Sequence, residues 1–204
     1  SASVYGDTKN LKINENFKLN PRHFYAYTKY IGEEMIKFYC KINSIKYTIM
    51  RFFNIYGSRS SAVIARFVAQ KIQKKKLIIY GDGKQKRDFL HVSDLCEAIF
   101  KSLKTRISEN KIYNIGSGEA KSINDIKNII SKNNFVNLSK RNNDIEVSIS
   151  NNTKIKKELK WKNKINIREG INALYNKDFS NLKKLKIRSI SEQEKIIKKF
   201  NFRT

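Results

Sequence analysis

Tyr25 and Lys29 stand four residues apart in the stretch Asn20-Pro21-Arg22-His23-Phe24-Tyr25-Ala26-Tyr27-Thr28-Lys29-Tyr30-Ile31-Gly32-Glu33-Glu34. On a helix that spacing places both side chains on one face, about one turn apart. A phenol ordinarily titrates near pH ~10. An ammonium held beside it favours the phenolate, so tyrosine becomes a base usable nearer neutrality. The chemistry on offer is removal of a hydroxyl proton. Asn20 suits the cap of such a helix, and Pro21 suits its first turn, where a missing N–H costs nothing. The spacing alone also describes a solvated lysine beside a packed tyrosine, so the surrounding elements decide.

Those elements read as alternating strands and helices. Residues 1–6 read as the end of a buried strand running into a turn, and residues 7–20 as a polar loop. The helix runs from about Pro21 to about Ile42. Tyr47 to Gly57 opens with β-branched and aromatic residues and closes on glycine, which describes a buried strand and its loop. Strand, helix and strand make a βαβ unit of a parallel sheet. Ligands of such sheets bind beyond the carboxyl ends of the strands, where Ser1 and Asn54 would sit. Further along, a helix is expected over 62–74, strands over 77–80 and 87–92, and a helix from a Ser93 or Asp94 cap to about Lys104. A strand over 112–116 follows, then Ser122 and Asp125 in capping-box form before a helix to about Ser131. Residues 132–144 read as loop, 146–149 as a strand and 153–159 as a helix. Beyond Tyr175 lies a Lys-rich tail with one helix, capped by Ser191 with Glu194 three residues later.

Hydrophobic residues make up 40% of the 204, enough for a real core. A formal charge of +25 ordinarily points to nucleic acid or an anionic surface. Here the excess is spread along the whole chain and falls on Lys, with Asn and Ile also abundant. Those three residues are what AT-rich codons encode, so nucleic acid is not an expected partner. Cys40 and Cys96 have no metal-ligand spacing and form no disulfide framework, which suits a reducing compartment. No metal is expected. No apolar run reaches the roughly 18 residues of a membrane span, so no membrane partner is expected either. The chain opens at Ser1 without an initiator Met and reads as a portion of something longer.

Taken in order, six segments resemble the carboxyl-terminal half to two-thirds of the extended short-chain dehydrogenase/reductases, the NAD-dependent nucleotide-sugar epimerase/dehydratase family. They are Ser-Ala-Ser-Val-Tyr-Gly (1–6), Tyr25 to Lys29, and Arg51-Phe52-Phe53-Asn54-Ile55-Tyr56-Gly57. Next come Gly81-Asp82-Gly83 with Arg87 to Asp94, then Tyr113 to Gly118, and last Thr153-Lys154 with Lys157 to Trp161. The resemblance is strongest to UDP-glucose 4-epimerase-like members and runs from Ser1 to about Tyr175.

The resemblance implies an α/β fold: the carboxyl-terminal part of a doubly wound, Rossmann-like parallel sheet with a smaller α/β substrate-binding lobe. Residues 1–60 would end the dinucleotide-binding domain, 61–175 would form mainly the nucleotide-sugar lobe interleaved with returning strands, and 176–204 a basic tail. It implies NAD as cofactor, a nucleotide-diphosphate sugar as substrate, a homodimer, and a cytoplasmic enzyme whose products serve cell-surface polysaccharide. Ser1, Tyr25 and Lys29 match the catalytic residues. Tyr25 and Lys29 also match cofactor contacts, with Phe53 along the nicotinamide. Asn54 and Arg87 match contacts to the diphosphate, and Arg141, ahead of Asp144, the second family arginine near the phosphates or ribose; a planar guanidinium suits phosphate oxygens. Tyr80 matches a residue at the nucleotide base. His23 and His91 are read as structural.

The implied reaction is oxidation of a sugar C4 hydroxyl to a ketone and its reduction on the other face. The family's reductases and its differently positioned epimerases carry the same trio and stay open as alternatives, as does a non-catalytic fragment or basic binding module. Family 4,6-dehydratases carry Asp-Glu after the catalytic Ser/Thr, where this chain has Ala2-Ser3. Ala62 stands where members often have Asn or Gly. The eight glycines include no Gly-x-x-Gly-x-x-Gly cluster of the kind that holds a dinucleotide pyrophosphate.

Overall fold

The computed structural model describes residues 1–8, 12–57, 60–141, 144–177 and 189–201 of the chain. A 3-10 turn over Ala2–Tyr5 leads to β1 (Lys12–Ile13), α1 (Phe24–Ile42), β2 (Thr48–Phe52), β3 (Asn54–Tyr56), α2 (Val63–Ile72) and β4 (Leu77–Tyr80). Then follow β5 (Lys86–His91), α3 (Val92–Leu103), β6 (Lys111–Ile115), β7 (Ala120–Ser122), α4 (Ile123–Ile130) and β8 (Phe135–Leu138). The described chain ends with β9 (Val147–Ser150), α5 (Thr153–Leu159), α6 (Ile167–Lys177) and α7 (Ile190–Asn201). The architecture is α/β. One sheet runs β1-β9-β5-β3 with β7 added to β5, and two further parallel pairs are β2-β6 and β4-β8. Among the described residues only β5 and β7 run antiparallel.

Several local expectations are corrected. Residues 1–6 are not a strand end. Ser1 Oγ accepts the Ser3 N–H, and the Gly6 N–H closes on the Ser3 carbonyl, so short polar side chains draw the backbone into a 3-10 turn. Gly6 sits at φ 67, and a Cβ there would lie 2.1 Å from the Asn20 carbonyl oxygen, so only glycine fits. The expected βαβ unit therefore does not form among the described residues. Instead β2 pairs in parallel with β6, from Thr48 opposite Lys111 to Phe52 opposite Ile115.

Helix α1 starts three residues later than expected. Asn20 donates its backbone N–H to the Val4 carbonyl (2.9 Å), which holds it against the turn. His23 becomes the cap, with its ring Nδ1 accepting the Ala26 N–H. His91 likewise caps α3 in place of Ser93 or Asp94. Asp94 is drawn away to the amides of Lys164 and Ile165. The 7–20 loop contains β1, and the 132–144 loop contains β8. Ser122 and Asp125 do form their capping box. In the tail the cap is Ser189 with Glu192, not Ser191 with Glu194. Residues 178–188 and 202–204 of that tail lie outside the described residues.

The two larger apolar clusters among the described residues hold most of these elements together. One gathers Ile64, Phe67 and Val68 of α2, Leu77 and Ile79 of β4, Ile126 and Ile130 of α4, and Ile171 and Leu174 of α6. The other packs Leu90, Leu95, Tyr113, Ile115, Ile155 and Trp161. Each such side chain contributes about 1.5–3 kcal/mol when fully buried. Between them Asp88 is wholly buried and accepts five hydrogen bonds. Its Oδ1 takes the Ser117 amide and hydroxyl, and its Oδ2 takes the amides of Gly118 and Ser150 and the Ser150 hydroxyl. Gly116 makes room for this carboxylate, because a Cβ there would stand 2.5 Å from Asp88 Oδ2. β5 is thereby locked to the β6–β7 turn and to β9, with Arg87 fixed beside the lock.

Candidate active site

Lys29 Nζ lies 5.3 Å from the centroid of the Tyr25 ring, so the four-residue spacing does put the cation over the phenol. Tyr25 is 53% exposed, open to a ligand. Ser1 caps the 3-10 turn, and its hydroxyl shares a 2.9 Å hydrogen bond with that of Ser3. α1 packs on this turn. The structure thus sets Lys29 against Tyr25 and packs the helix that carries them on the turn that Ser1 caps.

What positions α1 is a buried ion pair, one turn beyond Lys29 on the same face. Glu33 accepts from Arg51 through Nε to both carboxylate oxygens (3.1 Å each) and through Nη2 (2.7 Å). Arg51 Nη1 also donates to the Tyr5 hydroxyl, which donates in turn to Asn114 Oδ1. The guanidinium lies 4.9 Å from the Tyr5 ring centroid. Helix, 3-10 turn, β2 and β6 are therefore joined through one polar network. Sequence reasoning missed it because its members are 18 to 109 residues apart.

The binding residues expected from the sequence line one cleft of about 480 Å³: Phe53, Asn54, Tyr80, Arg87 and Arg141. A second hollow of about 440 Å³ shares Arg87 and Asp144 with it, and is bounded also by Ser3, Arg22 and His23 at the start of α1. Ser1, Tyr25 and Lys29 line neither hollow. Phe53 packs with Val4, Tyr5 and Ile13, and Asn54 donates from its amide to the Asp88 carbonyl (3.4 Å). Arg87 donates through Nη2 to Asp144 Oδ1 at 2.5 Å and through Nη1 to the Lys86 carbonyl. Burial lowers its pKa, and Asp144 offsets part of that. Arg141 stacks on Tyr80, with 3.6 Å between the guanidinium carbon and the ring centroid.

Sequence reasoning did not pick out Arg66, Gln85 or Gln193. Arg66 lies on the cleft side of α2, 5.8 Å from the Tyr80 centroid. Gln85 donates to the Tyr80 carbonyl and to Asp144. Gln193, on α7, accepts the Tyr80 hydroxyl hydrogen bond. A cation flanked by the apolar pairs Ile64-Ala65 and Phe67-Val68 of α2 is a signal that could have flagged Arg66. Nothing in the tail flags Gln193. Among the described residues no group of three His, Cys, Asp or Glu could hold a metal ion, and no helix is long and apolar enough to cross a membrane.

A model of the NAD dependent epimerase/dehydratase family matches residues 1–116. The putative UDP-glucose 4-epimerase of Methanocaldococcus jannaschii is 34% identical over 184 residues, covering 85% of this chain and 59% of that protein. Among solved structures, the UDP-glucose 4-epimerase of Thermotoga maritima with UDP-glucose superposes with a TM-score of 0.82 at 26% identity, over 89% of this chain and 62% of that one. The UDP-glucuronic acid 4-epimerase of Bacillus cereus, in complex with UDP-glucuronic acid and NAD, gives a TM-score of 0.77 at 27% identity, over 85% and 58%. The chain thus spans between 58% and 62% of the length of these relatives.

Proposed function

Because this chain belongs to the NAD dependent epimerase/dehydratase family, we propose that it carries the catalytic helix and the substrate half of a nucleotide-sugar 4-epimerase. The observation that carries this reading is the gathering of Asn54, Tyr80, Arg87 and Arg141, far apart in sequence, around one cleft that adjoins the start of α1. Tyr25 takes the proton of the sugar C4 hydroxyl and returns it when the ketone is reduced on its other face. Ser1 hydrogen-bonds that oxygen and orients it. Asn54, Arg87 and Arg141 hold the diphosphate while the sugar turns, so binding energy remote from the reacting carbon keeps it in place.

Tyr25 and Lys29 fit the nicotinamide-ribose end of NAD: the phenol is exposed, and Lys29 forms no ion pair among the described residues. Phe53 would flank the ring. Bound NAD supplies the hydride acceptor and donor.

A homodimer is part of the proposal. Its support is the outer face of α1, where Phe24, Tyr27, Ile31, Met35, Phe38 and Ile42 recur at helical spacing and are all exposed. A large apolar stripe is unfavourable in water, and a second copy offers it a matching stripe. The free thiols of Cys40 and Cys96 support a reducing, cytoplasmic setting.

The test is proton NMR of the full-length enzyme with UDP-glucose and with UDP-glucuronic acid. The C4 epimer should accumulate to an equilibrium ratio without net consumption of NAD. A decarboxylated or reduced sugar in place of the C4 epimer would replace this reading.

A further inference from the structure

The charge around the cleft is not balanced by the residues the family pattern supplies. Among the described residues its charged lining consists of three guanidinium groups, on Arg66, Arg87 and Arg141, and one carboxylate, on Asp144. Asp144 is committed to Arg87 at 2.5 Å. Among the described residues, neither Arg66 nor Arg141 has a carboxylate partner. Both instead lie against one aromatic ring, 5.8 Å and 3.6 Å from the Tyr80 centroid. A cation over a ring gains modestly from it, far less than from an anion.

Two like charges are therefore held beside a single phenol at the edge of a core, an arrangement that disfavours the empty state. Burial lowers Arg66 below the usual guanidinium value, Tyr80 opposes this, and the Arg141 cation adds to it. Arginine does not give up its proton under these conditions, so an anion is what relieves the site. The first turn of α2 also lines the cleft through Ala62, Val63 and Ile64, and it has neither a side-chain cap nor an acidic residue. Its free N–H groups add positive potential on the same side.

We infer that Arg66 is a further substrate-binding residue, which with Arg141 supplies the uncompensated charge that holds a diphosphate in this cleft. The inference rests on the nucleotide-sugar reading for the identity of the substrate, and on charge and geometry for the role of Arg66. A diphosphate bridging two esters carries one ionised oxygen on each phosphorus, matching the two unpaired guanidiniums. Arg87, whose Nη2 is given to Asp144, joins them at the diphosphate through the N–H groups that remain. Arg66 sits on a helix buried on its other faces, at Ile64, Ala65, Phe67 and Val68, so its backbone is held in place before the ligand arrives.

The experiment is calorimetric titration of the full-length enzyme with UDP, uridine and inorganic pyrophosphate at several salt concentrations. It compares wild type, Arg66→Met and Arg66→Lys, each checked for an unchanged thermal melt. Arg66→Met should weaken UDP and pyrophosphate about tenfold or more and flatten the salt dependence, while uridine binding is unchanged. Arg66→Lys should recover much of the loss. UDP bound equally by wild type and Arg66→Met would overturn the inference and leave the nucleotide-sugar reading intact. So would a loss of UDP and uridine in equal measure, which would make Arg66 part of the base pocket. Pyrophosphate weakened by Arg66→Met, with UDP no tighter than pyrophosphate, would keep the diphosphate role and overturn the nucleotide reading. If wild type bound neither probe, the inference would fall.

Discussion

Replacing Glu33 by alanine should unfold this chain more readily than almost any single change on its surface. The carboxylate takes three close contacts from Arg51, two at 3.1 Å and one at 2.7 Å. Arg51 is 2% exposed and Glu33 6%, so the guanidinium left behind has no water to turn to. Removing one partner of such a pair costs about 3–5 kcal/mol. The Tyr5 hydroxyl stays in place, but it carries no charge. For a chain of this length each kcal/mol moves the melting midpoint by roughly 2–4 °C, so Glu33→Ala should melt roughly 6–20 °C lower. Arg51→Met should cost somewhat less, because a stranded carboxyl can protonate. Glu33→Leu combined with Arg51→Met should recover most of the loss, since replacing both members by apolar groups is often close to neutral. The assay is urea unfolding of the four proteins, followed by circular dichroism and by the fluorescence of Trp161. The reasoning fails if either single variant lies within ~1 kcal/mol of wild type, the range of a surface pair. It also fails if the double variant is as unstable as the worse single.

In the full-length enzyme Tyr25→Phe should lower kcat about 10²–10⁴-fold with KM little changed, measured by steady-state kinetics, because it removes the proton acceptor and keeps the ring. Asp88→Asn should destabilise by about 2–4 kcal/mol in denaturant titrations, since an amide nitrogen would face donors that now meet a carboxylate. Alkaline pH should unfold the protein: burial raises Tyr56, Tyr113 and Tyr175, the last to about 12. Groups raised in the folded state give stability that is whole below the unfolded value near ~10 and lost as pH climbs through the folded values, so melting points should fall from about pH 10 upward and fall less in Tyr175→Phe. The 204-residue chain by itself should bind NAD only weakly in calorimetry, because its eight glycines include no cluster to cradle the pyrophosphate.

Local rules read from the sequence succeeded where the partners lie within a turn or two. Ser122 and Asp125 are three apart and cap α4 as expected. Tyr25 and Lys29 are four apart and meet as expected. The rules failed where a distant group competed. Asn20 has the right chemistry for a cap, but the Val4 carbonyl holds its backbone, and His23 takes the place. Phe135 to Leu138 is too short and too polar in its surroundings to declare itself a strand; it becomes one because Leu77 to Tyr80 lies alongside. The cleft shows the same division. Phe53, Asn54, Tyr80, Arg87 and Arg141 were legible through the order and spacing of their motifs, and they do share a wall. Arg66 was hidden inside an amphipathic helix pattern, since periodicity reports which face is apolar and not which cation lacks a partner.

Asp88 also sets the rhythm at which this region opens. Its carboxylate protects the backbone amides of Ser117, Gly118 and Ser150, which lie 29, 30 and 62 residues away along the chain. A fluctuation that frees one of them disturbs the acceptor of all three, so their exchange with solvent deuterium is expected to be correlated and to report one opening unit. Arg87 precedes Asp88 on the same strand, so the opening that exposes these amides also loosens the wall of the cleft. Occupation of the cleft should then slow exchange at Ser150, a residue that does not line it.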